Sequence, residues 1–97
     1  WAVIDHREGT STIASVPGYQ LSEMTFVPRR PDAEEGDGYL IGLGASVAEG
    51  GRSDLLLFDL ADIAAGPRAR VKMPYHCVGQ VHGFWADARD IPGATTA

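Results

Sequence analysis

Residues 39–59 of this 97-residue chain read YLIGLGASVAEGGRSDLLLFD, and they decide the fold class. Two apolar runs, residues 39–47 and 54–59, flank a connection that contains the pair Gly50-Gly51. Such a pair between two apolar runs is typical of a β-hairpin. The runs are almost continuously apolar instead of alternating, which predicts strands covered on both faces, as between neighbouring sheets.

The sequence after this hairpin predicts one helical turn and one further strand. Leu60–Ala65 has the composition of a short helical turn, and Gly66-Pro67 would end it. Residues 68–73 alternate basic with apolar side chains, as in a half-exposed strand, and Pro74 ends that strand. With the hairpin this makes an antiparallel meander of three or four strands, the size of one β-propeller blade. The chain has no internal repeat, so periodicity does not itself indicate a propeller.

The sequence before the hairpin also consists of short strand segments separated by turns. It begins within a strand pattern at residues 1–4, which suggests a piece of a longer protein. Residues 10–15 are rich in β-branched side chains and lead to a Pro-Gly turn, and residues 24–28 form a second short strand. The loop that follows, residues 29–38, carries four carboxylates and is expected to be solvated. The predicted class is therefore all-β.

Composition excludes several kinds of partner. Eight basic and thirteen acidic residues give a net charge of −5 without a Lys/Arg-rich block, so neither nucleic acid nor an anionic membrane surface is an expected partner. No apolar run approaches the roughly 20 residues that span a bilayer, so membrane contact is expected only through parts outside this segment. Cys77 is the single cysteine, which favours a reducing compartment and hence a cytoplasmic location.

Four ordered motifs give the chain a resemblance to a known family. They are SEMTFVPR at residues 22–29, EEGDGYLIGL at 34–43, SDLLLFDLADIAAGPRARVKMP at 53–74 and QVHGFW at 80–85. In this order and approximate spacing they are similar to the end of the carotenoid cleavage oxygenases, the retinal pigment epithelial membrane protein family. Each motif alone is weak, but the ordered set is fairly specific.

The resemblance implies a fold and a reaction. Members of this family are seven-bladed β-propellers that hold a non-haem Fe(II) on the axis with four histidines. They use O2 to cleave a carbon-carbon double bond of a carotenoid, apocarotenoid or stilbene-like substrate. Residues 1–18 would then end the preceding blade, residues 19–85 would form the last blade region, and residues 86–97 would be a tail. The expected partners are O2, a hydrophobic polyene or stilbene-like molecule, and the remainder of the propeller.

The resemblance also assigns two residues to the metal. The family's last histidine ligand lies in an HG motif, which is His82 here, and the last of the glutamates that orient ligand histidines corresponds to Glu23. Neutral imidazole is a good ligand for ferrous iron, and a carboxylate on the other ring N–H fixes the tautomer and the orientation. Glu23 is expected to serve a ligand histidine outside this chain, and Gly83 to keep the backbone beside the metal compact.

The chain departs from the family pattern at two positions. Val81 stands where an aromatic residue usually precedes the ligand, and Met24 stands where a proline usually follows the glutamate. Both changes affect the substrate pocket or the ligand angle, but neither removes a ligand. Because one histidine cannot hold iron, three more must come from elsewhere, and this chain alone is expected to be inactive.

Other interpretations of the candidate metal residues stay open. Without the flanking motifs, His82 would be an ordinary packed or surface histidine, and Glu23 an exposed carboxylate at a strand edge. His6 lies among charges in a predicted turn and is expected to be solvated. His76 and Cys77 are adjacent in an extended segment, where neighbouring side chains point to opposite faces, so joint metal ligation is disfavoured.

Four further side chains are expected to have structural roles. Phe84 and Trp85 have the bulk of packing residues within a blade and are predicted to pack there instead of contacting substrate. Arg29 and Arg30 are predicted to face solvent or to pair with nearby acids.

Two functional classes follow from the sequence. The first is the C-terminal part of an iron-dependent dioxygenase, with a non-oxygenase isomerohydrolase of the same family as a variant. The second is a non-catalytic β-domain that binds a partner through an exposed sheet edge. Upstream histidines would distinguish these classes, since only the enzyme needs three more ligands.

Overall fold

The chain forms two antiparallel sheets in a computed structural model that describes residues 1–79 and 81–94. The first sheet pairs β1 (Ala2–Asp5) with β2 (Thr10–Ile13). The second is a meander in chain order, formed by β3 (Tyr19–Pro28), β4 (Gly38–Ser46), β5 (Arg52–Asp59) and β6 (Ala69–Lys72). Gln80, the first residue of the last motif, and residues 95–97 of the predicted tail lie outside the described residues.

The central hairpin matches its prediction. β4 and β5 pair along their whole length, with Tyr39 opposite Asp59 at one end. Gly50 and Gly51 adopt φ angles of 67° and 84° in the connecting turn, a backbone region that favours glycine. Buried and half-buried residues alternate over most of both strands, so both faces of the sheet are at least partly covered, as predicted.

Two elements differ from their predicted form. β3 begins at Tyr19, well before the predicted start at Met24, because residues 19–21 pair with the end of β4. The predicted helical turn Leu60–Ala65 consists of 3₁₀ turns with a kink at Asp62. Asp59 caps the first of these turns, since its carboxylate accepts a hydrogen bond from the backbone N–H of Ala61 at 3.1 Å.

A small apolar core lies on one face of the meander. Its buried members are Ala14, Val16, Leu56, Phe58 and Ile63. The ring of Trp1 meets Phe58 edge to face, with a centroid distance of 5.3 Å and an interplanar angle of 84°. Burial of each large side chain contributes about 1.5–3 kcal/mol, so these few residues hold the β1–β2 sheet and the 3₁₀ turns against the meander.

The acidic loop between β3 and β4 is folded back by arginines, as the sequence predicts. Arg29 contacts Asp37 at 2.8 Å and Asp59 at 2.9 Å, and Arg30 contacts Asp32 at 3.2 Å. These pairs are partly exposed, so solvent weakens them and they contribute little to stability. Their main effect is to hold the loop at the end of the sheet.

Beyond β6 a returning segment, residues 73–79 and 81–85, runs back across the meander toward β3. The N–H of Met73 donates to the carbonyl of Ser53 at 2.9 Å, and the N–H of Cys77 donates to the Ser53 hydroxyl at 2.6 Å. These bonds tether the returning segment to the start of β5. Within residues 1–79 and 81–94, no helix combines the length and the apolar character needed to cross a membrane.

Candidate functional site

His82 and Glu23, the two residues that the resemblance assigns to a metal, are in contact in the folded chain although 59 residues separate them. The His82 Nδ1 atom lies 3.2 Å from Glu23 Oε1. The second carboxylate oxygen, Oε2, accepts a hydrogen bond from the backbone N–H of Gly83 at 2.9 Å. The Glu23 carboxylate therefore binds two consecutive residues of the returning segment, His82 through its side chain and Gly83 through its backbone.

The position of Glu23 corrects one expectation. The resemblance implies that its carboxylate serves a ligand histidine outside this chain, and this expectation was wrong, because in the structure the carboxylate lies on His82 itself. The reason is the path of the returning segment, which brings residues 82 and 83 alongside β3. Sequence separation alone gives no hint of this approach.

The contact with Glu23 determines which ring nitrogen of His82 carries the proton. An ionised carboxylate can only accept, so the neutral imidazole must carry its proton on Nδ1 and donate it to Glu23. The other ring nitrogen, Nε2, then has a free lone pair. This is the arrangement in which a histidine binds a metal ion through one nitrogen while a carboxylate orients the ring through the other.

A β-bulge aims Glu23 at the histidine. In the β3–β4 ladder Leu21 faces Gly44 and Met24 faces Gly42, so two residues of β3, Ser22 and Glu23, stand opposite a single residue of β4. Bulges bend a strand and redirect side chains, and they are frequent beside functional sites. The bulge therefore gives Glu23 a direction that a regular strand would not.

The sequence itself carries a signal for this bulge. Tyr19, Leu21 and Met24 all pack against the core. Their spacing is two residues and then three, whereas side chains of a regular strand return to one face every second residue. This shift in the apolar alternation marks the extra residue, and Glu23 lies within it.

Gly42 on β4 leaves room for the bulge. A Cβ atom at this position would overlap the sulfur of Met24 and would come within 2.9 Å of the Glu23 carbonyl oxygen. A glycine inside a strand often marks a place where another backbone approaches closely. The close approach here is that of the bulged part of β3, which carries the orienting carboxylate.

The site is open on the side of His82. The His82 side chain is 85% exposed, and the neighbouring Phe84 is 86% exposed. Phe84, Trp85 and Phe26 line the same concavity as His82 and Glu23. Phe84 and Trp85, predicted to be packing residues, are thus exposed in this chain, where they form an apolar wall beside the candidate ligand.

The electrostatics favour an ionised Glu23. Hydrogen bonds from the His82 ring and then from the Gly83 N–H lower the pKa of the Glu23 carboxyl below its usual value. Both bonds stabilise the charged form, because a carboxylate is a better acceptor than a carboxylic acid. Glu23 is therefore a permanent acceptor for the Nδ1 proton at neutral pH.

The remaining histidines and the cysteine lie elsewhere. His6 is exposed in the turn after β1, and His76 is exposed near Gly51. Cys77 is a half-buried free thiol whose backbone N–H binds Ser53. Over residues 1–79 and 81–94 no group of three or more His, Cys, Asp or Glu side chains is arranged to hold a metal ion.

Comparison with known proteins places this site in a family. The family model described as retinal pigment epithelial membrane protein matches residues 1–87. The chain belongs to this family. The prediction drawn from the four sequence motifs is thereby confirmed, because the match extends beyond the residues that carried the resemblance.

Individual relatives agree with this membership. The chain is 49% identical over 63 residues to an isoeugenol monooxygenase from Pseudomonas putida, a match that covers 65% of the chain and 13% of that enzyme. A lignostilbene dioxygenase from Pseudomonas brassicacearum superposes with a TM-score of 0.79 and 36% identity, over 88% of the chain and 18% of the enzyme. A cobalt-substituted apocarotenoid oxygenase from Synechocystis superposes with a TM-score of 0.68 and 34% identity, over 77% of the chain and 16% of that structure.

These matches confirm the predicted fold class and show how much of the relatives' length the chain covers. The antiparallel meander is a blade region of the β-propeller found in the family's oxygenases. The family includes metal-dependent oxygenases, of which the cobalt-substituted structure is an example. The chain spans less than a fifth of the length of the relatives described above.

Proposed function

We propose that this chain supplies His82 as one ligand, and Glu23 as the carboxylate that orients it, to the non-haem Fe(II) of a dioxygenase. The whole enzyme would use O2 to cleave a carbon-carbon double bond of a carotenoid, apocarotenoid or stilbene-like substrate. The observation that carries the proposal is the contact between Glu23 Oε1 and His82 Nδ1, which leaves Nε2 free in a chain of this family.

The residues present fit this metal. A neutral imidazole held by a carboxylate is a suitable donor for ferrous iron, and one such donor leaves the rest of the ligand set to other histidines. Ferrous iron, when bound, would supply the activation of O2. Glu23 would keep the proton on Nδ1 and the ring in one orientation, while Phe26, Phe84 and Trp85 would exclude water and face an apolar substrate.

The proposal extends to the parts that surround this chain. Residues 1–18 would close the preceding blade, residues 19–85 would form the last blade region, and residues 86–97 would be a tail. The remainder of the propeller would bring three further histidines. The single cysteine at position 77 is in keeping with a cytoplasmic enzyme.

The names of the relatives guide the choice of substrates for a test. One relative is named for isoeugenol and another for lignostilbene, and both names denote aryl alkenes. A third is named for apocarotenoids. A panel of isoeugenol, a hydroxylated stilbene and an apocarotenal therefore spans the expected substrate class.

The deciding experiment replaces His82 by alanine in the full-length protein that contains this chain. We expect the variant to lose bound iron, measured by mass spectrometry of the purified protein, and to lose cleavage of every substrate in the panel. The matched control is His6→Ala, since His6 is an exposed histidine in the turn after β1. Iron retained at the wild-type level by His82→Ala would refute the proposal.

A further inference from the structure

Gly83, the residue after the candidate ligand, bonds to β3 and lies where an added side chain would be crowded by that strand. Its N–H donates to Glu23 Oε2 at 2.9 Å. An added Cβ atom at Gly83 would lie 3.3 Å from the Thr25 hydroxyl oxygen, which is tighter than most real Cβ contacts. Glu23 and Thr25 are two apart on β3, so the strand binds the glycine at one point and leaves little room for a side chain at the next.

These contacts are the main support that the structure records for the segment that carries His82. Among the described residues, the hydrogen bonds of residues 81–85 are those of His82 and Gly83 to Glu23, and this segment belongs to no strand or helix. A side-chain bond alone would hold the imidazole but leave its backbone free to shift. The Gly83 N–H bond removes part of that freedom, because it ties the backbone to the same carboxylate.

The reason for glycine at position 83 is space and not backbone conformation. Its φ lies outside the positive range in which glycine is favoured, unlike that of Gly50 or Gly51. A side chain would therefore be tolerated by the backbone itself. It would instead crowd the Thr25 hydroxyl, so that either Thr25 or the segment has to shift by a few tenths of an ångström.

We propose that Gly83 is a positioning residue for the metal ligand, and this inference rests on the function proposed above. Its N–H bond to Glu23 and its close approach to Thr25 set the distance between the His82 backbone and β3. That distance places the imidazole where one nitrogen meets Glu23 and the other points outward. An alanine at position 83 pushes the segment away by a few tenths of an ångström and loosens both bonds to the carboxylate.

The test measures metal binding by variants of the full-length protein, with Fe(II) and Co(II) as probes. Gly83→Ala is expected to weaken the affinity for both metals by about 10–100-fold, the usual effect of disturbing a residue that orients a ligand. It is also expected to change the visible ligand-field spectrum of the Co(II) form. Gly79→Ala is the matched control, because a Cβ atom at Gly79 meets nothing within 4 Å.

A second substitution identifies the route of the effect. Thr25→Ala removes the atom that the new Cβ would meet, so Gly83→Ala combined with Thr25→Ala should recover most of the affinity and the Co(II) spectrum. Thr25→Val keeps a group of the same size at that place, so Gly83→Ala combined with Thr25→Val should not recover them. Equal behaviour of the two double variants would overturn the positioning role.

The outcomes separate this inference from the proposed function. If His82→Ala loses the metal while Gly83→Ala binds it as tightly as Gly79→Ala does, the positioning role alone is wrong. If His82→Ala keeps the metal, the proposed function is wrong and the positioning role falls with it.

Discussion

Replacement of Glu23 by glutamine tests the orienting role without changing the size of the side chain. In the structure two donors approach two different oxygens: the His82 Nδ1 atom at 3.2 Å from Oε1, and the Gly83 N–H at 2.9 Å from Oε2. Glutamine has a single acceptor oxygen and an NH2 group that only donates. Whichever way its amide turns, one of the two donors loses its acceptor.

The direction of the amide decides which bond is lost. With the oxygen toward Gly83, the NH2 group faces Nδ1 of His82 and favours the tautomer with the proton on Nε2. That tautomer has no lone pair on the outward nitrogen and cannot bind a metal there. With the oxygen toward His82, the Gly83 backbone loses its tie to β3. Either result predicts a loss of metal affinity of about 10–100-fold, as is usual when the hydrogen-bond partner of a ligand histidine is removed.

The assay is competition for Fe(II) between the full-length protein and a chromophoric chelator, under anaerobic conditions. The matched control is Glu34→Gln, which makes the same change of charge at an exposed position of the acidic loop. The thermal midpoint of the metal-free protein should stay close to that of the control, because the site is exposed in this chain. An affinity of Glu23→Gln equal to that of the control would refute the orienting role.

Two further predictions concern the frame behind the site. Asp54 has no exposed side-chain surface, and its carboxylate accepts a hydrogen bond from the Tyr19 hydroxyl at 2.5 Å. This hydrogen bond is the main reason that the pKa of the Asp54 carboxyl lies below its ordinary value of 3.8. A carboxyl whose pKa is lowered by folding stabilises the fold at pH values above its unfolded-state pKa, and this stabilisation is lost as the pH falls through its folded-state pKa. Tyr19→Phe should therefore lower the free energy of unfolding by about 1.5–3 kcal/mol at pH 7 and by less in acid. Denaturant unfolding at a series of pH values measures this difference. An equal cost at every pH would contradict this explanation. Gly42→Ala should destabilise the protein by about 1–3 kcal/mol and also weaken Fe(II) binding, because the new Cβ displaces the backbone of Glu23. The thermal midpoint and the chelator competition measure these two effects, and wild-type values of both would contradict the prediction.

The strands were predictable because their signals are local. The apolar runs of residues 39–47 and 54–59 and the Gly-Gly turn between them specify a hairpin wherever they occur. The start of β3 was not predicted in this way, since residues 19–21 are not a continuous apolar run and join the strand by pairing with the end of β4. The kink at Asp62, next to the buried Ile63, is likewise not revealed by a composition of helix formers.

The candidate site, like the fold, was predictable from the sequence only in part. His82 and Glu23 could be named from short motifs, because the motifs preserve residue type and approximate spacing. The partner of Glu23 could not, and the sequence-based assignment to an outside histidine was wrong. A compact backbone at Gly83 was expected from the sequence, but its bond to Glu23 and its closeness to Thr25 were not, since they depend on how the returning segment approaches β3.

The sequence by itself determined the all-β class, the central hairpin, the family and the two residues of the candidate metal site. The tertiary structure decided which atoms of those residues meet. A hydrogen bond between Glu23 and His82 requires a match within a few tenths of an ångström across 59 residues. That match depends on the bulge in β3, the space left by Gly42 and the path of the returning segment, and these exist only when the strands are packed together.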